Sequence, residues 1–154
     1  MILISHRGNL DGKCDFENQP QRIDYVLSLG FDVEIDLWAI NNEIFLGHDI
    51  PEHKINLDWL ILRSKKIWIH CKNLNAIELI NSLEDKLKLN YFFHDTDFCV
   101  LTSKGFIWVF PGHQPLNNSI CVLPEIFNDF NSECAGVCSD FILKYKEENI
   151  LQNR

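Results

Sequence analysis

The 154-residue chain lacks the features that mark several functional classes. No stretch approaches the roughly 20 apolar residues of a membrane span, and the start, MILISHRG, has no basic leader followed by an apolar segment of signal-peptide length. Basic residues are few: 14 Lys and Arg stand against 22 Asp and Glu, for a net charge of −8 and a pI near 5.1. A nucleic-acid polymer or a membrane surface would require a clustered basic face. We therefore expect neither as a partner, and no membrane span.

The chain also lacks a CxxC pair, although it contains six cysteines. At least Cys71, Cys121 and Cys138 fall inside apolar, strand-like runs. Buried thiols in a reducing cytoplasm explain this pattern better than a disulfide framework or a zinc ribbon does. The sequence therefore predicts a cytoplasmic protein.

Repeats, linkers and low-complexity segments are absent as well. Hydrophobic residues make up 46% of the chain and charged residues 23%, close to the average of globular domains. The length suffices for one well-buried core and is too short for two ordinary domains. We expect one domain over residues 1–154.

Short apolar runs rich in Ile, Val, Phe and Trp alternate with helical or irregular stretches. Seven of them are predicted as strands: ILIS (2–5), FDVEIDLW (31–38), KIWIHCK (66–72), NYFFHD (90–95), FIWVFPG (106–112), SICVLPE (119–125) and AGVCSDF (135–141). Helical spacing predicts helices over residues 22–30, 57–64 and 74–89, and EIFLGHD (43–49) is predicted to form a hairpin with the second strand.

Apolar strands that alternate with helices indicate a parallel sheet with helical cover. The connections of the second half, DTDFCVLTSKG, HQPLNN and IFNDFNSEC, leave room for only a turn or two of helix. A complete eightfold β/α barrel needs about 250 residues. We therefore predict an α/β fold: a trimmed, TIM-like β/α barrel with reduced or missing helices in its C-terminal half.

The missing helices have a predicted consequence for assembly. Outer faces of the last three strands, including Trp108 and Phe110, would meet water unless something covers them. A homodimer is therefore a possible assembly.

Polar residues cluster at the ends of the predicted strands, which share one rim in a parallel sheet. They are His6, Arg7, Glu34, Asp36, His70, Lys72, His94, Asp95, Glu125 and Asp140. Glu34 and Asp36 lie two apart on one strand, so their side chains point the same way. Two such carboxylates repel each other unless a cation lies between them, which indicates a hard divalent ion, Mg²⁺ or Ca²⁺. Taken alone, the pair is more typical of strand-end acids without a ligand than of a metal site.

The order and spacing of these residues resemble a known family. His6-Arg7-Gly8, Glu17-Asn18, Glu34-Ile35-Asp36 and Gly47-His48-Asp49 follow the signature of the glycerophosphodiester phosphodiesterases, in the superfamily of phospholipase C-like phosphodiesterases. The resemblance covers residues 4–49, extends to His70-Cys71-Lys72 and Ser139-Asp140, and is weak over residues 90–130. The chain is similar to a short, divergent member.

The resemblance implies a metal-dependent β/α barrel hydrolase acting on a small-molecule phosphodiester. His6 and His48 would be the catalytic acid and base, since imidazole can accept and donate a proton near neutral pH. Arg7, Lys72 and Glu17 would belong to the substrate- or phosphate-binding group. Glu34, Asp36 and His70 would hold the metal that neutralises charge on the phosphoryl oxygens.

His70 departs from the family, which has Glu at this position. An imidazole ligand could shift the metal preference from Mg²⁺ or Ca²⁺ toward Mn²⁺ or Zn²⁺, or could weaken metal binding enough that the metal arrives with the substrate. Another carboxylate, from Glu17, Asp95 or Glu125, could complete the metal site.

Alternatives to a glycerophosphodiester hydrolase remain open. The substrate could be a nucleotide-linked alcohol or sugar of the CDP-alcohol type, or the same histidine pair could release a cyclic phosphate. A protein that binds a phosphate ligand without turnover is the alternative from a different class.

Overall fold

A computed structural model of the protein describes residues 1–114 and 116–152. Pro115, which belongs to a predicted connection, and residues 153–154 of the predicted domain lie outside these ranges. The strands are β1 (Ile2–His6), β2 (Asp32–Ile40), β3 (Glu43–Leu46), β4 (His53–Ile55), β5 (Ile67–Cys71), β6 (Asn90–Phe93), β7 (Cys99–Leu101), β8 (Ile107–Val109), β9 (Ser119–Val122) and β10 (Gly136–Ser139). The helices are α1 (Pro20–Ser28), α2 (Leu57–Leu62), α3 (Leu74–Ser82) and α4 (Ile142–Gln152), with short 3-10 helices at Glu84–Lys88 and Pro124–Ile126.

The strands form one mixed, curled half-barrel sheet. Parallel pairing runs in the order β6, β5, β2, β1, β10, β9, β8, and β7 adds to β8 antiparallel. The two ends of this strand order, β6 and β7, lie close together: the backbone N–H of Ser103, just after β7, donates to Tyr91 O in β6 at 2.8 Å. All seven predicted parallel strands and the β2–β3 hairpin are therefore confirmed, and the fold is a mixed α/β fold.

The helices begin where their sequences supply a cap or a favourable first residue. Pro20 opens α1, where its missing N–H costs nothing. Asn56 caps α2 and Asn73 caps α3, each accepting a backbone N–H with its side chain. The third helix ends earlier than predicted because Leu83 adopts an extended conformation (φ −75°, ψ 139°), and a 3-10 helix replaces the expected continuation.

Alternation along the strands divides the apolar residues into two clusters. The outer cluster packs strand residues such as Val33 and Ile35 against the helices, including Ile80 of α3 and Ile142 of α4. The inner cluster fills the concave side of the sheet and consists of Ile4, Trp68, Phe92, Trp108, Ile120, Val122 and Cys138. Because successive side chains of a strand point to opposite faces, every second residue of each strand reaches the concave side.

This arrangement corrects one expectation. Trp108 and Phe110 do not lie on an outer face: Trp108 is 2% exposed and packs against the rings of Trp68 and Phe92. In the alternation of β8, Ile107 and Val109 take the outward positions instead. The residues offered as a reason for a homodimer are therefore not available for one, and the homodimer stays a prediction without that support.

The second half is as lean in helices as predicted. Among the described residues between β6 and β10, the 3-10 helix Pro124–Ile126 is the only helical element. The segment predicted as a connection after β6 contains β7, and α4 follows β10; neither was predicted, and β4 was also missed. These strands are three residues long, too short for a period-of-two pattern to show.

Two further expectations concern thiols and membranes. Cys71, Cys121 and Cys138 are buried as predicted, and all six cysteines are unpaired. Burial raises the pKa of the Cys71 thiol to about 12. No helix formed by residues 1–114 and 116–152 has both the length and the apolar character needed to cross a bilayer.

Candidate active site

A cavity of about 490 Å³ opens at the carboxyl ends of the parallel strands. It has two kinds of lining residue, polar and apolar. The polar ones are His6, Arg7, Glu34, His48, His70, Lys72, His94 and Asp95, and the apolar ones are Phe92, Phe93, Trp108, Phe110, Pro111, Val122 and Leu123. Seven of the ten predicted strand-end polar residues therefore line one cavity, whereas Asp36, Glu125 and Asp140 do not.

His6, the last residue of β1, is held by Asp140, which directly follows β10. The ring Nδ1–H donates to Asp140 Oδ1 at 2.6 Å, and Nε2 lies 3.9 Å from Glu34 Oε2. Burial disfavours the charged form of Asp140, but the contacts with His6 and Asn9 outweigh it and lower the pKa of the carboxyl. The carboxylate thereby fixes the tautomer of neutral His6, with the proton on Nδ1 and the lone pair on Nε2.

Arg7 has a left-handed backbone (φ 54°), which is uncommon for a residue other than glycine. Its backbone is held on both sides: its N–H donates to Glu34 O at 3.1 Å, and its C=O accepts from the N–H of Asn18 at 3.0 Å. These two backbone hydrogen bonds hold Arg7 in its unusual conformation, and strained residues of this kind are common at functional sites.

The guanidinium of Arg7 lies between two carboxylates. Its Nε is 3.0 Å from Asp36 Oδ2 and its Nη1 is 3.3 Å from Glu17 Oε2. Burial would lower the pKa of Arg7, but Asp36, Glu34 and Glu17 raise it further than burial lowers it. Arg7 lines the cavity as a permanent cation. Glu17 does not line it: its other oxygen accepts from Asn9 Nδ2 at 2.6 Å, so the structure places Glu17 behind Arg7.

Glu34, Asp36 and His70 bring three potential metal ligands together. One ligand atom from each lies within 4.8 Å of the others, and all three residues are on the neighbouring strands β2 and β5. His70 Nδ1 is 3.1 Å from Asp36 Oδ1 and 4.0 Å from Glu34 Oε1. The ring of His70 stacks on Phe92, with centroids 5.1 Å apart.

The unsatisfied atoms of this cluster fit a cation. Asp36 Oδ1, Glu34 Oε2 and His70 Nε2 are buried and have no hydrogen-bond partner, and the 3.1 Å approach of His70 Nδ1 to Asp36 Oδ1 is not a hydrogen-bond geometry. Buried polar atoms normally have partners. Oxygen and imidazole donors are also the ligands that a divalent metal takes.

The two carboxylates have opposite pKa shifts. Burial and the neighbouring Asp36 raise the pKa of Glu34. Burial opposes ionisation of Asp36 too, but His70, Arg7 and Lys72 hold its pKa well below the usual range. Lys72 Nζ lies 3.6 Å from Asp36 Oδ1 and lines the cavity as a second cation beside Arg7.

His48 approaches the cavity from the loop after β3. Its Nδ1 lies 2.7 Å from Asp49 Oδ1, and 39% of its side chain is exposed. Burial, together with Arg7 and Lys72, lowers the pKa of His48. Gly47 positions this loop: its N–H donates to Asp36 O at 3.1 Å, and a Cβ there would lie 2.1 Å from Ile50 O. Glycine is required at this close approach, which turns His48 toward the cavity.

Several residues of the site were not assigned a role from sequence. Asn18 is buried and binds Asp36 twice, through Asp36 Oδ2 at 2.9 Å and the Asp36 backbone N–H at 3.0 Å. Asn9 donates to Asp140 Oδ1 at 2.8 Å and to Glu17. Asn18 could have been found, since it follows Glu17 in the Glu17-Asn18 motif, whereas Asn9 gave no signal.

The remaining candidates for an added carboxylate ligand differ in place. Asp95 lines the cavity at an exposed position. Glu125 does not line it: Glu125 Oε1 accepts from Ser139 Oγ and from the backbone N–H of Asp140, both at 2.9 Å. His94, not assigned a role, also lines the cavity and stacks on Phe110.

Comparisons with known proteins found no matching family model, no matching curated protein and no matching solved structure. The family resemblance therefore stays a prediction, and a function has to be inferred from the residues of the site.

Proposed function

We propose that this protein is a metal-assisted phosphodiester hydrolase acting on a small molecule, built on a trimmed, TIM-like β/α barrel. One observation carries the proposal: a single cavity is lined by His6, His48, two cations, and Glu34 and His70 of a three-residue cluster whose third member, Asp36, is buried beside them. The parallel order of β6, β5, β2, β1, β10, β9 and β8 supports the barrel, as do the loops at the carboxyl ends of the strands, where barrel enzymes have their active sites.

The residues divide into three tasks. Glu34, Asp36 and His70 would hold a divalent cation, which supplies charge neutralisation at the phosphoryl oxygens. Mg²⁺ or Ca²⁺ suits the two carboxylates, while His70 admits Mn²⁺ or Zn²⁺. Arg7 and Lys72 bind the anionic diester by charge-assisted hydrogen bonds. Glu17 orients Arg7 through its carboxylate and is a positioning residue in this scheme.

His6 and His48 move the protons. His6, with its Nδ1–H held by Asp140, has Nε2 available to accept or donate a proton on the cavity side. The lowered pKa of His48 favours its neutral form, which can accept a proton from the attacking oxygen. His6 then protonates the leaving alkoxide. One P–O bond forms to the attacking oxygen as the P–O bond to the alkoxide breaks.

Hydrolysis of bis(p-nitrophenyl) phosphate tests the proposal. The protein is treated with EDTA and assayed with Mg²⁺, Ca²⁺, Mn²⁺ or Zn²⁺ added back. His6→Ala and His48→Ala are each expected to lower kcat by roughly 10²–10⁴-fold. His113→Ala is the matched control, because His113 is exposed, stacks on Phe98 and does not line the cavity.

Two outcomes contradict the proposal. Full activity in either alanine variant removes that histidine from catalysis. Phosphate binding with no turnover under any metal identifies a binding protein instead.

A further inference from the structure

The cavity has two chemically different walls. The polar wall comes from the ends of β1, β2 and β5 and from the loop that carries His48. The other wall is lined by Trp108, Phe110, Pro111, Val122 and Leu123 from the ends of β8 and β9, together with Phe92 of β6, while His94 and Asp95, which follow β6, add two polar groups to the lining. A ligand bound at the polar wall that is larger than phosphate can contact this apolar wall.

The apolar wall has a tightly packed base. Trp108 and Phe92 are 2% and 4% exposed, and their ring centroids lie 4.7 Å apart. Above them Phe110 is half-buried, and its ring stacks on His94 with centroids 3.6 Å apart. The rings are fixed by their neighbours before a ligand arrives, which reduces the ordering cost of binding.

Leu123, a residue of the apolar wall, has a strained backbone conformation. It has a left-handed backbone (φ 45°), which a bulky side chain rarely adopts. Its N–H donates to Cys138 O at 2.7 Å, and this bond holds the residue where it lines the cavity. Strained residues of this kind cluster at ligand sites.

Hydrogen-bonding side chains are lacking on the β8 and β9 part of the wall. Among the cavity-lining residues that the structure describes there, Trp108, Phe110, Pro111, Val122 and Leu123, the indole is packed in the inner cluster and the others are apolar. A hydroxyl group placed against them would lose its water without gaining a side-chain partner. A flat apolar ring would lose no hydrogen bond and would gain contact with the aromatic rings.

We propose that the cavity takes a phosphodiester whose alcohol carries an apolar, ring-bearing group, with the phosphate at Arg7 and Lys72 and the ring against Phe110 and Trp108. The proposal rests on the proposed function only in placing a phosphate at the polar wall. It departs from the glycerol-type alcohol that the family resemblance implies. The cavity of about 490 Å³ is within the range of about 300–1,000 Å³ typical of small-molecule sites.

Binding of phosphate monoesters tests the subsite without requiring turnover. Phenyl phosphate, glycerol phosphate and inorganic phosphate are titrated into the protein by calorimetry. Phenyl phosphate is expected to bind about tenfold more tightly than glycerol phosphate, as one aromatic contact accounts for. Equal or tighter binding of glycerol phosphate overturns the proposal, as does the absence of binding by all three probes.

Substitutions at Phe110 locate the preference. Phe110→Ala is expected to weaken the binding of phenyl phosphate about tenfold and to change the affinity for inorganic phosphate by less than about twofold. Phe110→Leu keeps an apolar side chain without a ring, so it should retain the fold and lose most of the preference. Phe98→Ala is the control, because this ring is 67% exposed and lies outside the cavity. An unchanged preference in both Phe110 variants contradicts the assignment.

The outcomes separate this inference from the proposed function. A preference for phenyl phosphate in a protein that does not hydrolyse bis(p-nitrophenyl) phosphate would support the subsite and refute the hydrolase. Hydrolysis without any preference for the ring would do the reverse.

Discussion

The contact between His6 and Asp140 offers the sharpest test of the site. Both residues are nearly inaccessible, with 6% and 5% exposure, and their hydrogen bond measures 2.6 Å. Asp140→Asn removes the negative charge while keeping the size of the side chain. If Asp140 orients His6, this substitution should lower kcat although Asp140 does not line the cavity.

The expected magnitude follows from the kind of bond that is lost. A hydrogen bond to a charged group contributes about 1.5–3 kcal/mol, which corresponds to a rate loss of roughly 10- to 150-fold. An amide can also donate to His6 Nδ1 and so stabilise the wrong tautomer, which costs up to about 10⁴-fold in an aspartate–histidine pair of a serine protease. We therefore expect a loss between about 10-fold and about 10⁴-fold.

A double-mutant cycle distinguishes orientation from general damage. Turnover of bis(p-nitrophenyl) phosphate is measured for Asp140→Asn, His6→Ala and the double variant. Because Asp140 acts through His6, the double variant should be no slower than His6→Ala alone. Asp32→Asn is the control, since the Asp32 carboxylate accepts from Trp68 Nε1 at 3.0 Å and does not line the cavity. Additive losses, or a loss below about threefold in Asp140→Asn, would refute the reasoning.

The other predictions address pH dependence, packing and thiol reactivity. Burial and the neighbouring cations Arg7 and Lys72 lower the pKa of His48, because they disfavour its protonated form. Lys72→Met should therefore raise this pKa and move the acid limb of the kcat/KM profile to higher pH. An acid limb that does not move contradicts the assignment of His48 as the base. Trp108→Ala should lower the free energy of unfolding in urea by about 3–5 kcal/mol. Leu101→Ala, at a position 66% exposed, should change it by less than about 0.5 kcal/mol; similar losses in both would place Trp108 outside the core. Ellman's reagent should react fastest with the exposed Cys99, and Cys99→Ser should abolish the fast phase, while the four buried thiols should react only in denaturant.

Much of the fold could be predicted because its signals are local. Each parallel strand is a short apolar run, and the period of two along β2 fixes Val33 and Ile35 on one face and Glu34 and Asp36 on the other. The ends of parallel strands share one rim, so the sequence also indicates that the strand-end polar residues lie near one another.

The partners of the site residues could not be predicted in the same way. His6 and Asp140 are 134 residues apart, and they meet only because β1 and β10 pair in parallel. Glu17 illustrates the same limit: its motif position indicated substrate binding, but the folded loop places it behind Arg7. Sequence spacing does not specify which distant strand becomes a neighbour.

The sequence by itself determined the seven parallel strands, their two faces and the chemistry available at their ends, because these follow from side-chain type and local periodicity. Only the tertiary structure decided which face is concave. Trp108 was expected to face outward, yet the curl of the sheet turns its side of β8 inward, against Trp68 and Phe92. Curvature is a property of all the paired strands together, and the aromatic wall of the cavity therefore exists only in the folded protein.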